Sequence, residues 1–290
     1  MSYVRVSETA MRKADHIHSA LHEDVQFHAR TAGFERYEFV HEALPEISRD
    51  DVDTSTELFG VRLSMPFMIS PMTGGTPEAA AFNRMFAEAA RHFGLAMGVG
   101  SQRVALENPR LACTFRVRDV APDILLFANL GAVQLNYGCG VESCIKAVEM
   151  IEADALMLHL NPLQECVQPR GNTNFADLID RIREVKEALS VPVIVKAVGH
   201  GISERTARLL ADAGVDGIDV AGAGGTSWAK VESLRTSDTR LSALGAAMGE
   251  WGIPTVDSLI AARNVASNIT LIASGGVRTG EDIAKSIALG

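Results

Sequence analysis

The feature that most constrains this chain is a series of seven apolar runs, each ending in or directly followed by glycine or polar residues and then by an amphipathic stretch. The runs are "FMISPM" (67–72), "LAMGVGS" (95–101), "ILLFANLG" (124–131), "ALMLHLN" (155–161), "PVIVKAVG" (192–199), "DGIDVAG" (216–222) and "LIASGG" (271–276). Continuous apolar runs suit parallel strands covered on both faces. The intervening stretches read as helices with legible ends. Thr76 is placed as an N-cap and Pro77 as the first helical residue; Phe82, Met85, Phe86, Ala89 and Phe93 follow at helical spacing and stop at Gly94. Leu178, Ile182, Val185 and Leu189 form one stripe ahead of Pro192, Ser203 opens a helix that reaches Leu210 and ends at Gly214, and Thr279 with Asp282 makes a capping box.

Strand then helix, seven times over without a composition break, predicts one α/β domain over residues 67–290. The economical closure is a (β/α)8 TIM barrel, with a doubly wound open sheet as the alternative. The chain ends at "SIALG", in the helix after the seventh strand, so the eighth strand and last helix are expected to lie outside it. Residues 1–66 are expected to form an arm wrapping the barrel. A helix is expected over residues 8–28, then an irregular acidic stretch, "HEALPEISRDDVDTSTELFG", too polar for its own core.

With 290 residues, 47% hydrophobic and 22% charged, the chain has the composition of a soluble globular enzyme, not of a disordered segment. Its formal net charge is -9 and its cations are scattered, which argues against nucleic acid or an anionic membrane as partner. The N-terminus has no apolar leader and no run approaches the roughly 18 apolar residues of a membrane helix, so a cytoplasmic location is expected. Cys113, Cys139, Cys144 and Cys166 form no C-x-x-C pair; reduced, mostly buried thiols are expected.

In a barrel, active-site groups come from the C-terminal ends of the strands. The polar residues of this chain fall there: Thr73 with Gly74 and Gly75; Ser101, Gln102 and Arg103; Asn129; the stretch "HLNPLQE" from His159 to Glu165; Lys196; "AGAGGTSW"; and "SGGVRTG". In "SGGVRTG" two glycines precede a helix N-terminus, an arrangement suited to a phosphate. "AGAGGTSW" (221–228) is a second glycine-rich loop, ending in Thr226, Ser227 and Trp228, and is expected to face phosphate too. Lys196 is placed either to form a Schiff base or to hold a cofactor's negative charge, unless it is a snorkelling surface lysine. In "RKADHIH", Arg12, Lys13 and His16 make a compact cationic corner suited to a diphosphate, or else a solvated helical face.

Taken together, "RKADHI", "ALPEI", "PMTGG", "GSQR", "ANLGA", "HLNPLQE", "KAVGHGIS", "DVAGAGGTSW", "GIPT" and "SGGVRTGEDIAKSIALG" resemble the type 2 isopentenyl-diphosphate isomerases, FMN-dependent (β/α)8 barrels, from about Arg12 to Gly290. Only the last stretch is shared with other FMN barrels.

The resemblance implies an FMN site at Met72, Thr73, Ser101, Asn129, Lys196 and Thr226, with Gly276, Val277 and Arg278 at the FMN phosphate. It implies that Arg12, Lys13, His16, Ser101, Gln102, Arg103, His159 and Asn161 gather the prenyl diphosphate. Gln164 would lie near the reacting carbons, Trp228 and Glu232 would line the same pocket, and Glu165 would hold a Mg²⁺ that bridges to the diphosphate. The implied reaction is a 1,3-proton shift converting isopentenyl diphosphate to dimethylallyl diphosphate in isoprenoid biosynthesis. Reduced FMN serves as acid and base, NADPH as reductant, and a homotetramer or homo-octamer as the assembly. One rival is an FMN-dependent 2-hydroxy-acid oxidoreductase, which needs a catalytic histidine ahead of the seventh strand's arginine, and no histidine follows His200. The other is a non-catalytic fragment that binds flavin or prenyl diphosphate.

Overall fold

The computed structural model describes residues 8–290; residues 1–7 of the expected arm lie outside them. Helix α1 (Glu8–His22) is followed by an extended segment and a short antiparallel hairpin, β1 (Thr56–Leu58) and β2 (Val61–Leu63). Seven further strands follow: β3 (Met68–Ile69), β4 (Ala96–Gly98), β5 (Leu126–Gly131), β6 (Ala155–His159), β7 (Val193–Lys196), β8 (Gly217–Asp219) and β9 (Thr270–Ile272). All are parallel and pair in sequence order, with β3 and β9 at the two ends of the sheet. Helices alternate with them: α2 (Pro77–Phe93), α3 (Arg103–Glu107), α4 (Val141–Ile151), α5 (Pro162–Val167), α6 (Leu178–Ala188), α7 (Glu204–Asp212), α8 (Trp228–Arg235), α9 (Thr239–Ala247), α10 (Thr255–Val265) and α11 (Gly280–Leu289). These are seven consecutive strands of the expected barrel, six within their predicted runs and β9 starting one residue ahead of its run.

The sheet has two apolar faces. Met97, Leu126, Ala128, Leu156, Leu158, Val195 and Ile218 point outward and pack with Ala87, Ala147, Ile182, Leu210 and Leu259 of the surrounding helices. Ala96, Phe127, Ala155, Met157 and Ile194 point inward. Phe127, Met157 and Ile194 are fully buried there, each contributing about 1.5–3 kcal/mol relative to exposure. Leu58, Phe59, Val61 and Leu63 of the hairpin close the inner cluster from below. Part of the stretch read as irregular is thus an ordered plug, because its few apolar residues have the barrel interior to bury in.

Helix ends follow the predicted grammar. Thr76 Oγ1 accepts from Ala79 N, Gly94 takes φ 64°, Ser203 caps α7, and the Thr279–Asp282 capping box closes in both directions. Three expectations need correction. The N-terminal helix ends at His22, not His28: Val25 O accepts from Ser227 N and Phe27 N donates to Gly225 O, so this segment pairs with the loop after β8. In α2, Met85 and Phe93 are exposed and the buried positions are Ala79, Asn83, Ala87 and Ala90, small residues that let the helix lie close to its neighbours. Of the four thiols, Cys113 and Cys166 are exposed and only Cys144 is buried; all four are free.

The arm is clasped to the barrel by Glu250, whose carboxylate accepts from His28 N, Ala29 N and, at 2.5 Å, Lys230 Nζ. Lys230 also donates to Gln26 O. Further along, Lys285 donates to Phe34 O and Val256 N to Ala32 O. Among the described residues, no helix is long and apolar enough to cross a membrane.

Candidate active site

Side chains alternate along a strand, so the residue two beyond an inward-facing apolar one also faces inward. Two beyond Phe127, Met157, Ile194, Gly217 and Ile272 stand Asn129, His159, Lys196, Asp219 and Ser274. They form a polar layer over the apolar interior at the C-terminal mouth. Register agrees, pairing His159 with Lys196 and Lys196 with Asp219. Asn129 Oδ1 lies 3.0 Å from His159 Nδ1. A Cβ on Gly131 would stand 3.1 Å from His159 Nε2, so glycine there leaves the ring its room. Burial, with the charges of Lys13, Lys196 and Arg12, pushes His159 down to about 3. The ring is therefore neutral across physiological pH.

The segment after β6 forms a second group. Pro162 and Leu163 are the first turn of α5, with Asn161 as its N-cap position, so proline's fixed φ starts a helix here and does not make a free turn. That turn brings Asn161, Gln164 and Glu165 together. Asn161 Nδ2 donates to Gln164 Oε1 (3.2 Å) and Glu165 Oε1 (3.0 Å), while Asn161 Oδ1 is buried without a partner. Glu165 Oε2 accepts from Gln168 Nε2 and from Asn172 N at 2.6 Å. Gln164 Nε2 donates to Glu232 Oε1 at 2.9 Å.

Glu232 of α8 is the junction between this group and the arm. It is fully buried, its Oε1 lies 2.9 Å from His16 Nε2, and its Oε2 accepts from Arg235 at 2.5 Å. Burial works against its charge, but the hydrogen bond and charge of His16, the charge of Arg235 and the Gln164 amide outweigh it and hold the carboxyl at about 2. His16 is itself lowered, chiefly by burial, and packs edge-on to Trp228 with ring centroids 4.9 Å apart. His16 thus serves Glu232, and the cationic corner consists of Arg12 and Lys13. Arg12 donates to Gln168 Oε1 (3.4 Å) and Lys13 to Ser101 O (3.3 Å). Burial and the neighbouring Arg12 bring Lys13 down to about 8.

Gln102 does not face the mouth. Its amide donates to Ala147 O of α4 and accepts from Asn129 N, so it braces β4 against β5. Arg103 does reach the second group, donating to Asn172 Oδ1 at 3.0 Å as well as to Glu107. Thr73 lies against the β4 loop, its carbonyl accepting from Gly100 N, and Met72 is exposed.

On the opposite side, Lys196 Nζ donates to Asp219 Oδ2 (2.8 Å) and Ser274 Oγ (3.1 Å). Lys196 is therefore an ion-paired ammonium, neither a surface lysine nor a free amine of the kind a Schiff base needs. The two glycine-rich loops lie against one another. A Cβ on Gly275 would fall 2.1 Å from Gly222 O and one on Gly276 2.5 Å from Gly224 O. Close backbone approach accounts for these glycines. Thr226 Oγ1 accepts from Gln26 Nε2 and Arg278 donates to Gln26 Oε1, so the arm spans both loops; Val277 packs on Phe34 and Val256.

Sequence reasoning missed Asp219, Ser274, Gln168, Asn172 and Arg235. Asp219 and Ser274 carried a signal, a polar residue inside an apolar run. The other three sit in loop or helix positions with none.

The residues fit both groups that the motifs imply. The polar layer, with a paired cation and amide groups, suits the polar edge of a flavin. Glu165 and the unpartnered Asn161 Oδ1 are hard oxygen donors of the kind Mg²⁺ takes alongside phosphate oxygens. Among the described residues no group of three or more His, Cys, Asp or Glu is gathered at one point.

Residues 7–108 and 147–290 match the FMN-dependent dehydrogenase family. The chain is 55% identical to an isopentenyl-diphosphate delta-isomerase of Nostoc sp. over 98% of its length and 81% of the relative's. It is 53% identical to the enzyme of that name from Synechocystis sp., over 98% and 82%. A mandelate oxidase carrying an FMN monooxide adduct shares the fold at 18% identity, with TM-score 0.56, covering 90% of this chain and 72% of that one. By these likenesses and the ordered motifs at its mouth, the chain belongs to the FMN-dependent isopentenyl-diphosphate delta-isomerase family.

Proposed function

We propose that this chain converts isopentenyl diphosphate to dimethylallyl diphosphate by a 1,3-proton shift, with FMN as cofactor and Mg²⁺ on the diphosphate. The observation that carries the reading is the junction at Glu232. It ties the arm that bears Arg12 and Lys13 to Gln164, and through Asn161 to Glu165, so that cations, amides and a metal-type carboxylate converge on one side of a polar mouth. Arg12, Lys13 and Arg103 grip the diphosphate, each charge-assisted bond contributing about 1.5–3 kcal/mol. The C5 tail offers little to bind, so the diphosphate supplies the affinity.

Glu165 and Asn161 would hold Mg²⁺ together with phosphate oxygens. Reduced FMN, with NADPH as reductant, supplies the acid and base for the proton shift. Lys196, Asn129, Thr73, Ser101 and Thr226 orient it, with Gly276, Val277 and Arg278 at its phosphate. Gln164, held by Glu232, faces the carbon skeleton, and Trp228 with His16 walls the pocket against water. Neutral His159 contributes a hydrogen bond without adding charge. The exposed apolar residues Phe39, Val40, Leu44, Ile47 and Val52 on the arm favour self-association; the assembly proposed is a homotetramer or homo-octamer, in the cytoplasm.

The test is anaerobic incubation with FMN, Mg²⁺, NADPH and isopentenyl diphosphate in D₂O, followed by NMR. Deuterated dimethylallyl diphosphate without net flavin turnover is expected. Flavin reduction by a 2-hydroxy acid would replace the reading with the oxidoreductase one, and bound ligand with no product would leave a binding protein. Glu165→Gln is expected to raise the Mg²⁺ requirement; unchanged dependence removes Glu165 from the metal.

A further inference from the structure

Lys196 does not stand alone at the mouth. Asp219, with no exposed surface, accepts from Lys196 Nζ on Oδ2 (2.8 Å) and from Ser274 Oγ (2.6 Å) and Ala221 N (3.1 Å) on Oδ1. Both carboxylate oxygens are thereby fixed. Lys196 has three N–H donors; Asp219 and Ser274 take two, which leaves one for the mouth. The three residues come from adjoining strands, β7 and β8 and the end of β9, on the inward-facing side. Their charges sum to zero.

We infer that Asp219 is a positioning residue for the flavin: it aims Lys196 into the mouth and cancels the net charge that the lysine would otherwise present to bound FMN. This rests on the reading that FMN binds at this mouth beside Lys196. Two-electron reduction with uptake of one proton leaves the flavin ring with one more negative charge. An unpaired ammonium beside it would stabilise that charge and weaken the ring as a proton acceptor. A neutral pair gives direction and a hydrogen bond without that stabilisation. For a proton shift in which the reduced ring is the base, this retains its basicity.

The test compares the midpoint potential of FMN, measured anaerobically by equilibration with a reference dye, in the wild type, Asp219→Asn, Asp219→Glu, Lys196→Met and the double variant Lys196→Met/Asp219→Asn. Asp219→Asn is expected to raise the potential by the equivalent of about tenfold tighter binding of reduced over oxidised FMN, about 30 mV for a two-electron couple. Lys196→Met is expected to lower it. Asp219→Glu and the double variant, both charge-neutral at the pair, are expected to stay near wild type. An Asp219→Asn protein that binds FMN with an unchanged or lowered potential overturns the inference. If Asp219→Asn does not hold FMN, the double variant decides: recovered binding with a wild-type-like potential supports the pair, and lost binding or a shifted potential overturns it. Failure of the wild type to bind FMN would instead overturn the parent reading.

Discussion

Around Glu165 and Glu232 side chains hold side chains, whereas the glycine loops that follow β8 and β9 meet backbone against backbone. The first side is a chain of carboxylates and amides running from His16 through Glu232, Gln164 and Asn161 to Glu165, Gln168 and Asn172. The second is two glycine loops in contact, spanned by the arm at Gln26. A network of side chains can be loosened one bond at a time. A backbone contact admits no added atom. The first arrangement suits a region that must accept substrate and metal, and the second suits one that holds a cofactor's phosphate.

The largest expected effect falls at the network's junction. Glu232→Gln leaves Arg235 with only the exposed Asp15 as ion-pair partner, and a loss of about 2–3 kcal/mol in unfolding free energy is expected by denaturant titration. A loss under 1 kcal/mol would show that the junction tolerates rearrangement. Next is Gly275→Ala, where φ is 99° and the new Cβ meets Gly222 O. The backbone conformation alone costs about 1–3 kcal/mol, and FMN affinity should fall with stability. An unchanged melting temperature would break the contrast between the two sides.

Gln168→Leu, which removes a bond to Glu165 while Asn172 N keeps the other, is expected to weaken Mn²⁺ or Mg²⁺ binding about tenfold in the presence of diphosphate, measured by calorimetry. Unaltered affinity would mean that Asn172 N and Asn161 Nδ2 suffice to orient the carboxylate. The smallest effect concerns pH. Lys13 has its charge disfavoured by burial, so in the free protein it loses its proton as pH rises through about 8. Diphosphate binding should weaken across that range by up to a few-fold, and Lys13→Arg should remove the step. His159 carries the opposite lesson for stability. Its folded value, about 3, lies below that of the unfolded chain, near 6.5. The unfolded state therefore takes up the proton first, and stability present above pH 6.5 is lost as pH falls toward 3. His159→Asn should flatten that acid limb.

Much of the fold was legible because parallel strands buried on both faces leave unbroken apolar runs, and because Thr76, Ser203 and Thr279 mark helix starts by a local hydrogen bond. The arm was harder. Val25 and Phe27 leave the helix to pair with a loop 200 residues away, which local pattern cannot register. At the site, "HLNPLQE" identified itself by density of polar groups. The resemblance places Gln102 of "GSQR" among the substrate contacts, whereas a strand end can turn such a residue inward or outward, and here its amide bonds Ala147 O of α4. The glycines of "AGAGGTSW" and "SGGVRTG" suggest a ligand in sequence, while in the fold their first constraint is each other. Asp219 is hidden inside "DGIDVAG", whose apolar residues dominate the run.

The arm's bonds join positions far apart in the chain: Gln26 to Thr226, Lys285 to Phe34, and Arg278 to Gln26, the last separated by 252 residues. Contacts of this span form late, since the loop they close must first be made and its entropy overcome. In the chain order the arm precedes the loops it docks on, so in synthesis it has to wait for them. The arm's clasp over the loops after β8 and β9 is thus expected to close after the sheet has formed, and FMN capture there would report that closure.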